Sequence, residues 1–548
     1  MRSAHVDTFV RDRLPPPEAQ PDFLFDLPEL RYPERLNAAA ALIEAAPADA
    51  PAVVNDAGTW TFGQMRDLSD RIARLLAEEE DLVPGNRVLL RGPNGATLFA
   101  AWLGVLKAGG VLVTTMPILR PGEVATILER AQVHHAIVDA RCLDDFMAAA
   151  DATGLVRSLL TYEGDAGGGA LEARLARVAP GFEAAATHRD DVAMIAFTSG
   201  TTGRPKGCVH YHRDVLASAD SFARHVLRPA ANTRWLCSAP IAFTFGLGMQ
   251  LVFPWRFGGA AVTVERPGPR PLLEAAARHR VTHLATAPTA YKAMLPMLAE
   301  HDVSALATCV SAGEHLPAAT WHAWRGATGL AIVDGIGATE MMHIFISAAG
   351  EDIRPGATGK AVPGYRACVL DEAGRPLPHG TGRLAVKGPT GCRYFDDPRQ
   401  ADYVQGGWNV TGDTYRQDEH GYFWYVARSD DMIVSAGYNI AAPEVENALY
   451  LHPAVAECAV VGVPCEERGQ KVKAYVVLAD GVAPGPEAAA MLQDHVKAAI
   501  APYKYPREIA FVDTLPKTVT GKLQRFALRR GDEVREAATP VTAPGVRK

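Results

Sequence analysis

The sequence predicts an α/β protein: a large N-terminal domain of doubly wound α/β sheets, a β-rich subdomain after them, and a small α/β domain at the C-terminus. Over roughly the first 355 residues, short Val/Ile-rich runs alternate with Ala/Leu-rich stretches, as in "RVLLRG" followed by "ATLFAAWLGVLKAG". Such alternation is typical of βαβ units on parallel sheets. Beyond that point the pattern changes to short strands joined by glycine-containing turns, which predicts hairpins.

The N-terminal domain is predicted to span residues 1–429, with hairpins in "GYRACVLDEAGRPLPHGTGRLAVKG" and "TYRQDEHGYFWYVA". The C-terminal domain is predicted over residues 430–530 as helix, strand, strand, helix and strand, and Pro443 marks the first turn of its first helix. Residues 531–548 are mixed in charge and end in "TPVTAPGVRK", which predicts a disordered tail.

Composition and charge argue against several classes of protein. The 548 residues are 48% hydrophobic, which is enough to fill the cores of two or more domains. The net charge of −7, from 55 basic and 62 acidic residues, offers no excess of cations for a nucleic-acid or membrane surface. The eight cysteines form no CxxC pair, which argues against a zinc site and a disulfide framework.

Neither export nor membrane insertion is expected from the sequence. The N-terminal stretch has no apolar core of signal-peptide length, and no apolar run approaches the roughly 18 residues that span a bilayer. We therefore expect a cytoplasmic protein with reduced cysteines, acting on small molecules as a monomer or homodimer.

The stretch "FTSGTTGRPKG" follows the apolar run "VAMIAF" and predicts a phosphate-binding loop. It holds three glycines, four hydroxyl side chains and two cations within ten residues. Backbone N–H groups of a glycine-rich turn can cradle phosphate oxygens, and a lysine adds a point charge. The loop does not fit the GxxxxGK[ST] pattern, because its lysine follows proline and precedes glycine. A surface turn is the alternative for a looser cluster of this composition.

This loop resembles the phosphate loop of the acyl-adenylate-forming enzymes, the AMP-dependent synthetases and ligases. Four further segments resemble that family's motifs and stand in its order, so that the resemblance covers nearly the whole chain. They are "DGIGATE" (334–340) for adenine and magnesium, "TGD" (411–413) for ribose, "ARSDD" (427–431) for the interdomain hinge, and "PKTVTGKLQR" (516–525) for the catalytic lysine.

The resemblance implies a role for each matching residue. Thr339 would contact the α-phosphate, and Glu340 would hold Mg²⁺, a hard cation that prefers carboxylate and phosphate oxygens. Asp413 would accept from both ribose hydroxyls, and Arg428 would donate to the ribose. Lys522 would be the catalytic cation between the substrate carboxylate and the α-phosphate. The residues assigned to the β- and γ-phosphates are Thr198, Ser199, Gly200, Thr201, Thr202, Gly203 and Lys206.

The adenine motif departs from the family's usual pattern at two positions. Ile336 stands where an aromatic residue is common, and Asp334 stands where an amide is common. We therefore expect an aliphatic contact with the base on that side, while Asp334 accepts from the adenine amino group, so ATP is preferred to GTP. The further residues expected along the base are Gly313, Glu314, Gly335 and Gly337.

"APIAFTFGLGM" (239–249) matches the family's acid-binding motif, and together with "EMMHIF" it most resembles the benzoate-type aryl-CoA ligases. The resemblance implies a short, flat, apolar slot, which suits an aromatic ring better than a long acyl chain. The expected acid is 2-aminobenzoate or benzoate. The slot residues would be Phe243, Phe245, Gly335, Ile336 and His343, although such aromatics and a lone histidine are also common in protein cores. His210 and His212 receive no catalytic role.

The two-domain layout implies a two-step reaction. The first step makes an acyl-AMP and releases pyrophosphate, and the second transfers the acyl group to coenzyme A. In this family the C-terminal domain rotates between the steps, which would make Asp430 the hinge and would bring Gly437 close to CoA. Two alternatives stay open: an adenylation enzyme that loads a carrier-protein pantetheine, and a non-catalytic ATP-binding protein.

Overall fold

The computed structural model describes residues 3–165, 167–198, 205–428, 432–435, 438–465, 469–500, 502–517, 523–530 and 541–542. The chain divides into two compact units. The first consists of Met1–Ala367 and Ala385–Val410, and the second of Cys368–Leu384 and Thr411–Lys548. The boundary expected at residues 429 and 430 lies outside the described residues and stays a prediction. Of the tail assigned to residues 531–548, the structure describes only Val541 and Thr542, so its disorder also stays a prediction.

The strands of the described chain are β1 (Pro51–Asn55), β2 (Gly58–Thr61), β3 (Arg87–Arg91), β4 (Val111–Thr115), β5 (His135–Asp139), β6 (Ser158–Tyr162), β7 (Val192–Thr198), β8 (Lys206–Tyr211), β9 (Arg234–Cys237), β10 (Ala260–Val262), β11 (His283–Thr286), β12 (Thr308–Ser311), β13 (Ile332–Gly337), β14 (Ile344–Ser347), β15 (Lys360–Ala361), β16 (Arg366–Leu370), β17 (Pro376–Leu377), β18 (Gly380–Lys387), β19 (Val404–Gln405), β20 (Trp408–Gln417), β21 (Phe423–Arg428), β22 (Met432–Ser435), β23 (Tyr438–Ala441), β24 (Val455–Cys465), β25 (Gly469–Leu478), β26 (Glu508–Phe511) and β27 (Val541–Thr542).

The α-helices are α1 (Ala38–Ile43), α2 (Phe62–Glu78), α3 (Ala96–Lys107), α4 (Pro121–Ala131), α5 (Leu143–Thr153), α6 (Ala170–Leu175), α7 (His212–Ser218), α8 (Thr244–Leu247), α9 (Phe253–Arg256), α10 (Pro269–Arg278), α11 (Pro288–Met294), α12 (Ala318–Thr328), α13 (Gln400–Tyr403), α14 (Ala442–Tyr450), α15 (Pro486–Ala499) and α16 (Arg525–Arg530). Two π-helical segments, Ala219–Leu227 and Gly248–Val252, continue α7 and α8. Within the described residues, no helix is both long and apolar enough to cross a membrane.

Two mostly parallel sheets organise the first unit. One sheet has the strand order β6-β5-β3-β4-β7-β8, and only β8 runs antiparallel to its neighbour. The other has the order β15-β14-β13-β12-β11-β9-β10-β1-β2, with a parallel centre from β13 to β1. The predicted doubly wound α/β class is therefore confirmed, because the βαβ alternation folds as its periodicity indicates.

Helices bury their apolar faces on both sheets of this unit. Val124 and Ile127 of α4 and Phe146 of α5 share a core with strands of the six-stranded sheet, and Trp324 of α12 lies in a core with strands of the nine-stranded sheet. All twelve residues of α3 are buried, as expected for a helix that is apolar on every face. The one charged residue of α3, Lys107, is neutralised by Asp70 at 2.6 Å.

The second unit contains the small sheet predicted for the C-terminal part. Its order is β23-β22-β25-β26-β27, and β24 pairs with β25. α14 and α15 cover this sheet through a core that includes Val445, Val460, Leu492 and Ile509. The two predicted hairpins are also present, since β16 pairs antiparallel with β17, and β20 pairs antiparallel with β21.

Candidate active site

The carboxyl ends of parallel strands in the nine-stranded sheet form one edge of the candidate site. Thr286 of β11, Ser311 of β12 and Asp334 of β13 are aligned in register. In open α/β sheets, ligands bind outside the carboxyl ends of the strands. The loops and turns that leave this edge carry the predicted base and acid residues Phe243, Gly313, Glu314 and Thr339, and β13 itself carries Ile336.

A close reversal of the chain after β13 positions the predicted catalytic turn. β13 pairs antiparallel with β14, and a 3₁₀ turn over Thr339–Met341 lies between them. A Cβ atom on Gly335 would lie 2.7 Å from the side chain of Ile344, and one on Gly337 would lie 2.8 Å from the carbonyl oxygen of His343. Glycine at both positions therefore permits the strands to approach this closely. Met342 has a φ of 65°, a conformation uncommon for a residue with a side chain.

The predicted magnesium ligand, Glu340, forms a charged network with Lys206 and Tyr394. Lys206 Nζ donates to Tyr394 Oη at 2.8 Å, and the Tyr394 hydroxyl donates to Glu340 Oε1. Lys206 Nζ lies 3.9 Å from Glu340 Oε1 and 4.7 Å from the centroid of the Tyr394 ring. Glu340 is 7% exposed and Tyr394 is 1% exposed. Burial raises the pKa of both groups, so the phenol keeps its hydrogen at neutral pH.

The strand that follows the phosphate loop holds this network in place. β8 contains Lys206, and its Cys208 bridges to Tyr394. The backbone N–H of Phe395 donates to the carbonyl oxygen of Gly207 at 3.0 Å, which also holds the segment of Tyr394 against β8. His210, further along β8, donates from Nε2 to the carbonyl oxygen of Thr339 at 2.8 Å. β8 is thus hydrogen-bonded both to the segment carrying Tyr394 and to the turn carrying Glu340.

The structure describes the two ends of the predicted phosphate loop. Thr198 ends β7 and pairs with Lys206 at the start of β8. Arg130 of α4 donates to the carbonyl oxygen of Pro205 and lies 3.4 Å from Asp397 Oδ2, so it anchors the end of the loop. The loop residues Ser199, Gly200, Thr201, Thr202 and Gly203 lie outside the described residues.

Asp334 presents a buried polar atom at the predicted adenine position. Its Oδ1 is buried and has no hydrogen-bond partner in the part of the chain that the structure describes. Burial raises the pKa of Asp334 to about 8, so the carboxyl group carries a proton at neutral pH. A protonated carboxyl group can accept through one oxygen, as predicted, and can also donate through the other. Gly313, with a φ of 90°, follows the neighbouring strand β12.

Aromatic rings surround His343. The centroid of its ring lies 4.5 Å from that of Phe253, and 5.6 Å from those of Phe222 and Phe245. Burial lowers the pKa of His343 to about 3, so the ring is neutral. Nε2 lies 3.3 Å from the carbonyl oxygen of Phe245, which can only accept, so the hydrogen is on Nε2. Nδ1 is therefore a bare acceptor, and it is buried with no partner among the described residues.

Two glycines next to Phe245 keep the space around His343 tight. A Cβ atom on Gly248 would lie 2.4 Å from His343 Cδ2, and one on Gly246 would lie 2.2 Å from the carbonyl oxygen of Pro240. Gly248 also begins the π-helical segment, and such segments are frequent at functional sites. Of the predicted slot residues, the structure brings Phe245 and His343 into contact and places Phe243 at the N-cap of the same helix, α8.

The second unit places the predicted ribose ligands side by side. Asp413 of β20 is the register partner of Arg428 of β21, and Arg428 Nη1 lies 3.3 Å from Asp413 Oδ1. Asp430, Gly437 and Lys522 lie outside the described residues, so their predicted roles stay predictions.

Sequence reasoning missed Tyr394, Arg130 and Gly248. Tyr394 lies 54 residues from Glu340, and nothing in "CRYFDDP" marks it as a partner of a carboxylate. Gly248 lies within the quoted acid motif, two residues after Gly246, and this place in the motif was the signal available for it.

Comparison with known proteins identifies the family of the chain. The family model described as "AMP-binding enzyme" matches residues 40–394, and that described as "AMP-binding enzyme C-terminal domain" matches residues 444–522. The chain belongs to the AMP-binding enzyme family. It is 38% identical to the benzoate–CoA ligase of Thauera aromatica over 515 residues, which cover 92% of this chain and 97% of the relative.

Two solved structures are similar to this family member over nearly its whole length. The anthranilate CoA ligase AuaEII in complex with anthranoyl-AMP superposes with a TM-score of 0.87 at 34% identity, covering 92% of this chain and 99% of that one. A benzoate CoA ligase from Burkholderia xenovorans has a TM-score of 0.81 at 35% identity, with coverages of 90% and 99%. With these relatives, this AMP-binding enzyme is an AMP-forming acid–thiol ligase.

Proposed function

We propose that this enzyme activates an aromatic carboxylic acid, 2-aminobenzoate or benzoate, with ATP and transfers the acyl group to coenzyme A. A carboxylate is a poor electrophile because its charge repels nucleophiles. Formation of a mixed anhydride with AMP releases pyrophosphate and creates a good leaving group, which the CoA thiol then displaces. The choice of an aromatic acid rests on one observation. The side chains of Phe222, Phe245 and Phe253 surround a neutral His343.

The network at Glu340 supports binding of magnesium together with ATP. Among the described residues, no group of three or more His, Cys, Asp or Glu could hold a metal ion. Glu340 instead offers one buried carboxylate beside the lysine of the phosphate loop. Mg²⁺ in proteins is commonly bound by one or two carboxylates and substrate phosphates, so this donor set fits an ion that arrives with the nucleotide. Bound there, Mg²⁺ would supply charge neutralisation at the phosphates.

For the nucleotide itself, the residues with described positions act by binding and orienting. Lys206 provides a cation for the β- and γ-phosphates, and Thr339, whose carbonyl is held by His210, faces the α-phosphate in this proposal. Asp334 recognises the adenine amino group. The pair of Asp413 and Arg428 binds the ribose, and its antiparallel register keeps the two side chains together.

At the acid end, aromatic walls favour a flat ring over a flexible chain. Offset or edge contacts between aromatic rings contribute about 0.5–1.5 kcal/mol each beyond burial of area. Gly248 leaves no room for a larger residue beside His343, so the packing around this ring is tight. The names of two relatives, benzoate–CoA ligase and anthranilate CoA ligase, support an acid of this class.

The amino group of 2-aminobenzoate is matched by the tautomer of His343. An ortho amino group can donate one hydrogen to its own carboxylate, which leaves one hydrogen for the protein. Nδ1 of His343 is a buried acceptor without a partner among the described residues. We assign this atom to the amino group, because a buried acceptor left unpaired costs about 1–3 kcal/mol that a bound donor would recover.

Transfer to CoA requires a different group near the same carbonyl carbon. We assign Lys522 to the first step and the segment around Gly437 to the second, with rotation about Asp430 between them. Lys522 would hold the charge that develops on the α-phosphate, an effect typically of about 3–4 kcal/mol for one preorganised donor.

A panel of acids tests the proposed function. Benzoate, 2-aminobenzoate, octanoate and palmitate are each incubated with ATP, Mg²⁺ and CoA, and AMP and pyrophosphate are measured. The two aromatic acids should be turned over far better than the two fatty acids. Efficient turnover of palmitate would contradict the aromatic pocket, and formation of ADP instead of AMP would contradict the reaction itself.

A further inference from the structure

Tyr394 lies between the two charged groups that the proposed ATP site uses, and the direction of its hydrogen bonds is fixed by chemistry. Lys206 can only donate, and the Tyr394 hydroxyl has a single hydrogen to give. The Tyr394 hydroxyl must therefore accept from Lys206 and donate its one hydrogen to Glu340 Oε1. The hydroxyl is thus fully used by these two charges.

The same hydroxyl also keeps the two charges apart. Lys206 Nζ and Glu340 Oε1 are 3.9 Å apart, which is longer than the roughly 2.7–2.9 Å of a direct charged hydrogen bond. In a buried site, an ammonium and a carboxylate attract each other strongly, and removing the intervening hydroxyl would let them meet. A lysine that is bound to Glu340 is less available to phosphate oxygens.

We propose that Tyr394 is a positioning residue that holds Lys206 and Glu340 apart, so that each remains available to magnesium-bound ATP. The backbone supports this role, because Tyr394 bridges to Cys208 on the same strand as Lys206. The N–H of Tyr394 donates to Gln400 Oε1 at 2.9 Å. These two contacts fix the backbone of Tyr394, and this limits how far its phenol can follow either charge.

The test is a set of four proteins: the wild type, Tyr394→Phe, Glu340→Gln and the double variant. Binding of ATP is measured by calorimetry in the presence of EDTA, so that neither magnesium nor turnover contributes. Tyr394→Phe should weaken ATP binding five- to tenfold in the protein that retains Glu340, since Lys206 is then captured by the carboxylate. In the Glu340→Gln protein, the same substitution should change the affinity less than twofold.

Tyr403→Phe is the matched control. The two tyrosine rings contact each other edge to face, with centroids 5.8 Å apart, but the structure places only the hydroxyl of Tyr394 between Lys206 and Glu340. Tyr403→Phe should leave ATP affinity unchanged. Thermal denaturation of every variant reports on folding, because a purely structural Tyr394 would lower the unfolding midpoint and weaken ATP binding equally with and without Glu340.

Two results would overturn the proposal: unchanged ATP affinity in Tyr394→Phe, or an equal loss in both backgrounds. The inference rests on the proposed ATP site, and the experiment separates the two. A wild type that binds ATP neither in EDTA nor with Mg²⁺ present would contradict the proposed function itself, whereas binding that is insensitive to Tyr394→Phe contradicts only the role of Tyr394.

Discussion

Around Glu340 the buried polar groups bond to one another, whereas at His343 and Asp334 buried polar atoms have no partner among the described residues. The phosphate end of the site is thus organised by the protein's own lysine, tyrosine and carboxylate. The base and acid ends each contain a buried acceptor, Asp334 Oδ1 and His343 Nδ1, that a bound ligand could satisfy. Such unpaired atoms cost stability, so these two regions should respond differently to substitution.

The largest effect should come from Glu340→Gln, which changes the hydrogen-bonded network at the phosphate end of the site. Glutamine keeps the size of the side chain but removes the carboxylate that we propose as the magnesium ligand. The rate of acid-dependent pyrophosphate exchange should fall by about 10²–10³-fold. Glu351→Gln, on the exposed 3₁₀ turn Gly350–Asp352, is the control and should keep the wild-type rate. A loss of less than fivefold in Glu340→Gln would remove Glu340 from the catalytic machinery.

Gly248→Ala should have the next largest effect, at the acid end. The added Cβ would lie 2.4 Å from the His343 ring, so the ring has to move. Overpacking of this kind costs about 1–3 kcal/mol of stability, and we expect kcat/KM for benzoate to fall about tenfold. Gly326→Ala on α12 has open space around the added methyl group and should leave both quantities nearly unchanged or slightly improve stability. Equal behaviour of the two variants would show that His343 does not line a tight slot.

Asp334→Asn should stabilise the protein without ligand in a pH-dependent way. The pKa of Asp334 is raised to about 8, so the native state binds a proton that the unfolded state releases above its ordinary pKa of 3.8. The contribution of Asp334 is therefore fully present below pH 3.8 and is lost progressively as the pH rises towards 8. The stability advantage of Asn should grow over this range by at most about 1.4 kcal/mol per pH unit.

Denaturant unfolding of the wild type and Asp334→Asn at pH 5, 6, 7 and 8 measures this effect. Asp144→Asn, an exposed carboxylate on α5, controls for a general change in net charge. A difference between Asp334→Asn and the wild type that does not depend on pH would show that Asp334 is ionised in the folded protein.

His343→Phe should give the smallest effect, a change in the preference between 2-aminobenzoate and benzoate. Phenylalanine keeps an aromatic ring but removes the acceptor Nδ1. One hydrogen bond of about 1 kcal/mol corresponds to roughly a fivefold change, so kcat/KM for 2-aminobenzoate should fall about fivefold more than that for benzoate. Steady-state kinetics with both acids measure this ratio, and equal losses would remove His343 from recognition of the amino group.

The same comparison shows what could be predicted from the sequence. The βαβ alternation, the hairpins after residue 355 and the elements of the C-terminal part were predicted correctly because they follow from local periodicity and turn residues. Glu340 and Lys206 were named from linear motifs, and the structure brings them within 3.9 Å. Linear motifs therefore identify residues whose role depends on the chemistry of their own side chain.

Tyr394 and the tautomer of His343 were beyond sequence reasoning for a physical reason. Tyr394 reaches Glu340 only because its segment bridges to β8, a pairing that no local pattern encodes. The neutral state of His343 depends on burial among three aromatic rings, Phe222 from one helical stretch and Phe245 and Phe253 from another. The raised pKa of Asp334 likewise results from burial, which composition does not reveal.

In the proposed reaction, the enzyme joins an aromatic acid to AMP before CoA takes part. The most direct measurement is a single-turnover reaction of the enzyme with 2-aminobenzoate, ATP and Mg²⁺ in the absence of CoA, quenched and separated by chromatography. Each active site should form close to one 2-aminobenzoyl-AMP and one pyrophosphate at the same rate, and the adenylate should convert to 2-aminobenzoyl-CoA when CoA is added. Release of ADP and phosphate, or the absence of any acyl-AMP with both 2-aminobenzoate and benzoate, would contradict it.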